Sequence, residues 1–243
     1  MKISVITCTW NSAATLQETL DSVAKQDHAE VEHIFVDGGS TDGTFEMIER
    51  YGRAATILKD VTGGISRAMN EGARVATSDV IAHLHSDDYF ATSQTLSKVA
   101  SALTTSNAGW LVGRTATLCD GVLRPPLAQK PFSPFRYRCR GFFIAHPATF
   151  VKRDLFMASG QFNEQLRYAM DIDLWLRLIA LENPCELDDT LTVFREHAGS
   201  LSTAQRDNAR LEERRVRLAD RNSNALNKAM TLWRMFKTQR ARG

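Results

Sequence analysis

One stretch restricts the possible folds more than any other. In Val80-Ile81-Ala82-His83-Leu84-His85-Ser86-Asp87-Asp88 an apolar run stops at two adjacent carboxylates. A short run of branched aliphatics closed by turn formers reads as a buried strand of a parallel sheet. Ligands of open α/β sheets bind just beyond the carboxyl ends of the strands, which places Asp87 and Asp88 in the binding crevice. Two neighbouring carboxylates repel each other, and both stay ionised most readily when a cation sits between them and an anionic ligand. Hard oxygen ligands suit Mg²⁺ or Mn²⁺, which take one or two carboxylates together with substrate phosphates. The same pair could instead end the strand and cap a helix near Thr92.

The chain before this stretch repeats one unit. Residues 3–8 read as a strand, followed by a helix with Leu16, Leu20 and Val23 on one face. A second strand (31–36) precedes a helix over 44–51, and a third (55–58) precedes a helix carrying Ile65, Ala68, Met69 and Ala73. This alternation predicts an α/β fold of β-α-β units, with a mostly parallel, Rossmann-like sheet flanked by helices. Carboxylates recur at the strand ends: Asp37 to Asp42 with three glycines in residues 37–44, Asp60 before Gly63-Gly64, then Asp87-Asp88. Such an edge offers what a nucleoside diphosphate needs. One carboxylate accepts from the base or ribose, backbone N–H groups and glycines lie near the phosphates, and a metal bridges the diphosphate.

After a helix near 92–104 the pattern becomes mixed. Residues 110–118 and 122–123 predict a hairpin turning at Asp120-Gly121. Short extended segments over 142–144 and 148–151 flank His146-Pro147, a helix bears Leu174, Leu178 and Leu181, and 191–194 reads as a last strand. The expected organisation is one domain over 1–202 and a basic helical tail over 203–243. From Ala204 to Gly243 there are 11 Lys/Arg and 4 Asp/Glu, a balance of +7 against −5 for the remainder. From Asn222 onward there are five basic residues and no acidic ones, with Leu226, Met230, Trp233 and Phe236 at helical spacing. Such a helix suits an anionic membrane surface, or packs on its own domain or on a second copy in a homodimer. No recognition motif accompanies the charge, so nucleic acid is not an expected partner. No apolar run approaches the roughly 18 residues of a membrane span. Met1 to Ile6 enters a strand pattern directly, leaving no room for a signal peptide. Cys8, Cys119, Cys139 and Cys185 match no metal-ligand spacing and read as reduced thiols. The expected location is cytoplasmic, peripheral on the inner face of the membrane where the tail binds lipid.

Seven segments carry a resemblance, in order: Thr7 to Asn11, Val36 to Thr44, Gly64 to Gly72, Ser86-Asp87-Asp88, His146-Pro147, Ala169 to Arg177, and Phe194 to Ser202. In these the sequence resembles the family 2 glycosyltransferases, enzymes of the GT-A fold that use nucleotide sugars. The resemblance implies a UDP- or GDP-sugar donor, Mg²⁺ or Mn²⁺, and a glycan or lipid-linked acceptor. It implies that Asp37 contacts the base, Asp60 the same nucleoside region, and Asp87 the ribose and diphosphate side. Asp88 would be the metal ligand, and His197 would approach the metal or diphosphate. Thr7, Asn11, Gly64 and Arg67 complete the donor-binding set, and Asp171 would be the general base. His85 departs from the Asn often found there.

Other residues of these segments have plainer readings. Asp42 reads as capping the following helix, Asp173 as structural, and His146 as ordering the acceptor-side loop. Arg67 and Arg177 meet phosphate or pair with nearby acids. Of His83 and His85, one is expected to face the sheet and the other the crevice. One base and one metal with no separate nucleophile imply direct displacement with inversion. The rival readings are a nucleotidyltransferase, which would carry a Gly-rich, basic loop where Thr9-Trp10-Asn11-Ser12 stands, and a non-catalytic nucleotide or sugar binder of the same fold.

Overall fold

In the computed structural model, which describes residues 1–128, 131–139, 142–196 and 205–240, strand β1 (Ile3–Thr9) is buried at every position. Ile3 and Val5 enter one core, Ile6 and Cys8 another. A strand buried on both faces belongs in mid-sheet with helices on each side. β1 pairs in parallel with β2 (Val31–Asp37) and β4 (Val80–His83), and β2 with β3 (Ala54–Leu58). The connecting helices are α1 (Leu16–Ala24), α2 (Thr44–Tyr51) and α3 (Ile65–Val75). Leu16, Leu20 and Ile48 of α1 and α2 pack on Phe35, while Ala68, Met69 and Ala73 of α3 pack on Ile6, Ile34 and Val36. α3 lies so close that a Cβ on Gly72 would stand 2.5 Å from Ile6 Cγ2.

The remaining elements are β5 (Tyr89–Phe90), α4 (Thr95–Ser106), β6 (Trp110–Cys119), β7 (Val122–Arg124), α5 (Pro134–Arg138), β8 (Thr149–Lys152), α6 (Arg153–Ala158), α7 (Met170–Leu181) and β9 (Cys185–Glu196). The sheet continues β4-β8-β6-β9-β5. β8 is antiparallel to β4 and β6, and β9 is parallel to β6 but antiparallel to β5. β6 and β7 form the predicted hairpin. Three expectations change. The fourth strand ends at His83: Leu84 N–H still donates to Ile6 O (3.0 Å), but Asp88 N–H donates to His85 O (3.1 Å), so the chain turns away before the two acids. Residues 142–144 form no strand. The last strand begins at Cys185 rather than Leu191, and its register against β6 shifts twice.

The tail forms two helices, α8 (Arg206–Ala219) and α9 (Ala225–Arg240). Asp220 breaks them apart, accepting from Asn222 N–H (2.9 Å), the Ser223 hydroxyl (2.8 Å) and Arg138 Nε (3.0 Å). α8 rests on α7. α9 is tied to the α5 region, where the Thr231 hydroxyl donates to Arg138 O (2.9 Å) and the Asn227 amide to Cys139 Sγ (3.2 Å). Among the described residues no helix is long and apolar enough to cross a membrane. All four cysteines are free thiols.

Candidate active site

The register of β1 on β2 sets Thr9 beside Asp37. The Asp37 carboxylate accepts from the Thr9 hydroxyl (2.8 Å), the Ser40 hydroxyl (2.6 Å), and the N–H groups of Gly39 (2.9 Å) and Ser40 (2.8 Å). Burial opposes its charge, but these donors outweigh burial and hold the carboxyl below its ordinary value. Asp37 is buried and saturated from within, so it shapes the 38–44 loop instead of presenting its own carboxylate. Its carbonyl accepts from Val61 N–H (2.9 Å), which brings Asp60 to the same rim. Asp60 is exposed at φ 56°, its Oδ1 beside Gly39.

Asn11 ties two loops, its N–H donating to the Ser40 hydroxyl (2.9 Å) and its Oδ1 accepting from Thr41 N–H (2.9 Å). Asp42 accepts from Thr44 N–H (3.1 Å) and Ala13 N–H (3.0 Å), a further tie of the same kind. Thr7 is fully buried, with its hydroxyl 3.0 Å from His33 Nε2, behind the rim. Gly64 opens α3 at φ 96°, with open space where a Cβ would stand, and Arg67 is exposed with its side chain lying over Gly63. The sequence reading passed over Trp10, which is 70% exposed against Gly38. Its signal was a large aromatic at the end of an otherwise buried strand.

The adjacent acids divide the work. Asp88 is 0% exposed, and its Oδ1 accepts from Arg195 N–H of β9 (3.1 Å) while its carbonyl accepts from the Thr19 hydroxyl (2.7 Å). Burial, then the Asp87 charge, pushes its carboxyl well above the ordinary range. Asp88 therefore latches β9 and α1 to the turn through Oδ1 and its carbonyl, while its Oδ2 is buried without a hydrogen-bond partner. Asp87 is half-buried. Among the described residues no three His, Cys, Asp or Glu side chains converge as a metal cage. An acid pair at a strand end with one carboxylate oxygen unpartnered fits Mg²⁺ or Mn²⁺ that keeps water and phosphate in its shell. His197 lies outside the described residues.

The 86–88 turn is held to the first loop, as the Ser86 hydroxyl donates to the Ser12 hydroxyl (2.8 Å) and Thr15 Oγ1 to Ser86 O (2.9 Å). Both His83 and His85 rings meet His146, at 5.9 and 5.0 Å between centroids, the latter pair stacked, with His83 buried and His85 partly exposed. Burial lowers all three imidazoles, His83 to about 3, so they stay neutral at pH 7. His146 in turn lies 6.0 Å from the ring of Trp175 on α7.

At the head of that helix Asp171 Oδ1 accepts from Ile172 N–H (2.7 Å). Burial raises its carboxyl to about 6, a value suited to a base working near neutrality. Asp173 is structural, paired with Arg177 (2.7 Å), which also donates to Gln161 O (2.7 Å) and Ser159 O. Arg177 is thereby committed to protein contacts. The approach to α7 is held by Asn70, whose amide exchanges both bonds with the Phe162 backbone (2.9 and 3.0 Å), and by the Ser66 hydroxyl on Leu166 O (3.2 Å).

Loops at the ends of parallel strands, a turn with two acids and an acid-headed helix lie on one mixed sheet of GT-A-like architecture. The description "Glycosyl transferase family 2" matches residues 4–158, and the chain belongs to this family of glycosyltransferases. It is similar to a PGL/p-HBAD biosynthesis glycosyltransferase of Mycobacterium tuberculosis, 31% identical over 188 residues, covering 72% of this chain and 68% of the relative. An uncharacterized glycosyltransferase of the same organism is 29% identical over 202 residues, covering 77% and 75%. Two solved structures share the fold over the whole of this chain. They are S. aureus TarS 1–349 with UDP-GlcNAc (TM-score 0.77, 23% identity, 75% of that chain) and the mannosyltransferase PcManGT of Pyrobaculum calidifontis with GDP-Man and Mn²⁺ (0.70, 17%, 76%).

Proposed function

We propose that this glycosyltransferase inverts the anomeric carbon, moving a sugar from a UDP- or GDP-sugar to a hydroxyl of a glycan or lipid-linked acceptor with Mg²⁺ or Mn²⁺. The observation that carries it is the placement of Asp171 in the first turn of α7, its Oδ1 held by Ile172 N–H (2.7 Å), with burial raising its carboxyl. The acceptor hydroxyl gives its proton to Asp171 as its oxygen attacks the anomeric carbon from the face opposite the diphosphate. The loop built on Asp37, with Asp60 and the exposed Trp10, would receive the nucleoside, and Gly64 and Arg67 at the start of α3 would receive phosphate. The Asp87-Asp88 turn would hold the cation, which when bound supplies the Lewis acidity that stabilises the departing diphosphate. The ligands of the two structural relatives, UDP-GlcNAc and GDP-Man with Mn²⁺, support donors of this class.

The test begins with thermal stabilisation by UDP-GlcNAc or GDP-mannose with and without Mn²⁺, since a ligand at 100 times its Kd adds about 2.7 kcal/mol. With the donor so chosen, Asp171→Asn should keep donor binding and lose roughly 10²–10⁴-fold in turnover, read as nucleoside diphosphate release. Near-normal turnover would remove Asp171 as base, and no release by the unaltered protein with any donor would favour the non-catalytic binder.

The acceptor's location is supported by α9. It buries the polar Asn227 and Thr231 and turns Leu226 (58% exposed), Trp233 (58%) and Phe236 (55%) outward. The flanking charge is basic and complements anionic lipid. The occupant we assign to this face is an anionic membrane surface carrying a lipid-linked acceptor.

A further inference from the structure

The helix that carries Asp171 has no cap of its own, because Ala169 at the N-cap position makes no side-chain bond. The N–H groups of Arg167 (3.1 Å), Tyr168 (2.5 Å) and Ala169 (2.8 Å) instead donate to a single carboxylate, that of Glu212 on α8. Ala169 is the N-cap of α7 and Arg167 and Tyr168 precede it, so Glu212 pins the turn that leads into the helix, and bonds to an ionised acceptor are about twice as strong as neutral ones. One turn further along α8, the buried Arg217 donates to Glu213 (2.8 Å) and to Tyr137 O (2.6 Å), its guanidinium 4.9 Å from the Tyr137 ring centre. Glu213 and Arg217 are the charges from α8 that act on Asp171. None of α8 lies within the residues matched by the family.

We propose that α8 is part of the active site, and that Glu212 is a positioning residue fixing the backbone turn that aims Asp171 at the acceptor hydroxyl. The inference rests on Asp171 being the base, and its test separates the two. The full-length protein is compared with Asp171→Asn, Glu212→Gln, Glu212→Ala and the double variant Asp171→Asn/Glu212→Ala, using the donor chosen above. Glu212→Ala should lower kcat about 10- to 100-fold, the scale of a small misalignment of a reacting group, with donor KM within about twofold. Glu212→Gln, which keeps a carbonyl acceptor without the charge, should fall between. Because Glu212 acts through Asp171, its loss should cost nothing further in the Asp171→Asn background.

A folded Glu212→Gln protein with kcat within about twofold of the unaltered enzyme overturns the inference while leaving the base in place. So does a Glu212 effect that multiplies undiminished on Asp171→Asn, which is the mark of general fold support. Should Glu212→Ala not fold, Glu212→Gln decides. Normal turnover by Asp171→Asn would remove the base itself, and the positioning role with it.

Discussion

Asp87 and Asp88 are neighbours with different fates, and a pair of variants separates them. Asp87→Ala should abolish Mn²⁺-dependent stabilisation by the nucleotide sugar while the melting temperature without ligand stays near that of the unaltered protein. Asp88→Ala should act on the fold, since it releases Arg195 N–H from its acceptor, with a loss of about 1–3 kcal/mol read by denaturant titration. The reverse pattern would place the metal on Asp88 alone. Asp171 carries a pH signature. Its carboxyl is raised to about 6 in the fold against an ordinary 3.8, so the folded state disfavours its ionised form. Stability from this group is therefore fullest below 3.8 and declines as pH rises to about 6, while turnover rises around pH 6 as the base ionises. Asp171→Asn should accordingly be more stable than the unaltered protein at pH 8, by an amount on the order of 1–3 kcal/mol, and lose that advantage near pH 4. Equal stabilities across that range would contradict the buried environment assigned to Asp171.

Elements differ in how much of themselves they show in sequence. β1, β2 and α2 were legible because burial and periodicity agree over their whole length, and α2 falls on the predicted residues 44–51. The first half of β9 was not, because residues 185–190 carry Glu186, Asp188 and Asp189 and alternate only weakly. β5 is two residues long and exists through its partner β9. In the site, the positions of the loops could be read from glycines and acids, but the direction each acid faces depends on the turn at His85–Asp88 and on four donors to Asp37. The contact of Glu212 with residues 167–169 spans more than 40 positions and leaves no local pattern. α3 offers a test at this scale. Gly72→Ala would press a methyl against Ile6 Cγ2 and Val36 Cγ2, at 2.5 and 3.1 Å before relaxation. A loss of about 1–3 kcal/mol is expected in urea unfolding, the usual range for an overpacked contact. Unchanged stability would mean that α3 can move off the sheet, and the donor-side end of the site with it.

For the molecule as a whole, the roles proposed for the two tail helices can be tested separately. Ending the chain after Arg221 removes α9 and leaves α8 in place, so donor turnover should persist while binding to anionic liposomes is lost. Each basic residue near such a surface contributes about 1 kcal/mol, screened over a Debye length of about 8 Å at physiological salt, so high salt should also weaken binding by the full chain. If the shortened protein sediments with liposomes as well as the intact one, the membrane assignment fails. Concentration-dependent self-association of the intact protein alone would give the face to a second copy.

The placement of β9 between β6 and β5 has a consequence for the order in which the molecule can be assembled. The four parallel strands are all synthesised by residue 83 and can pair as they emerge. β6 follows within the next 36 residues, but its parallel partner is not finished until Glu196. Throughout that interval a ten-residue strand offers an open row of backbone donors and acceptors, the kind of edge that recruits other chains. Pairing over so long a separation in sequence is also slow. Nascent chains interrupted between Cys119 and Glu196 should therefore be the species most prone to aggregate, and most in need of a chaperone, during synthesis of this protein.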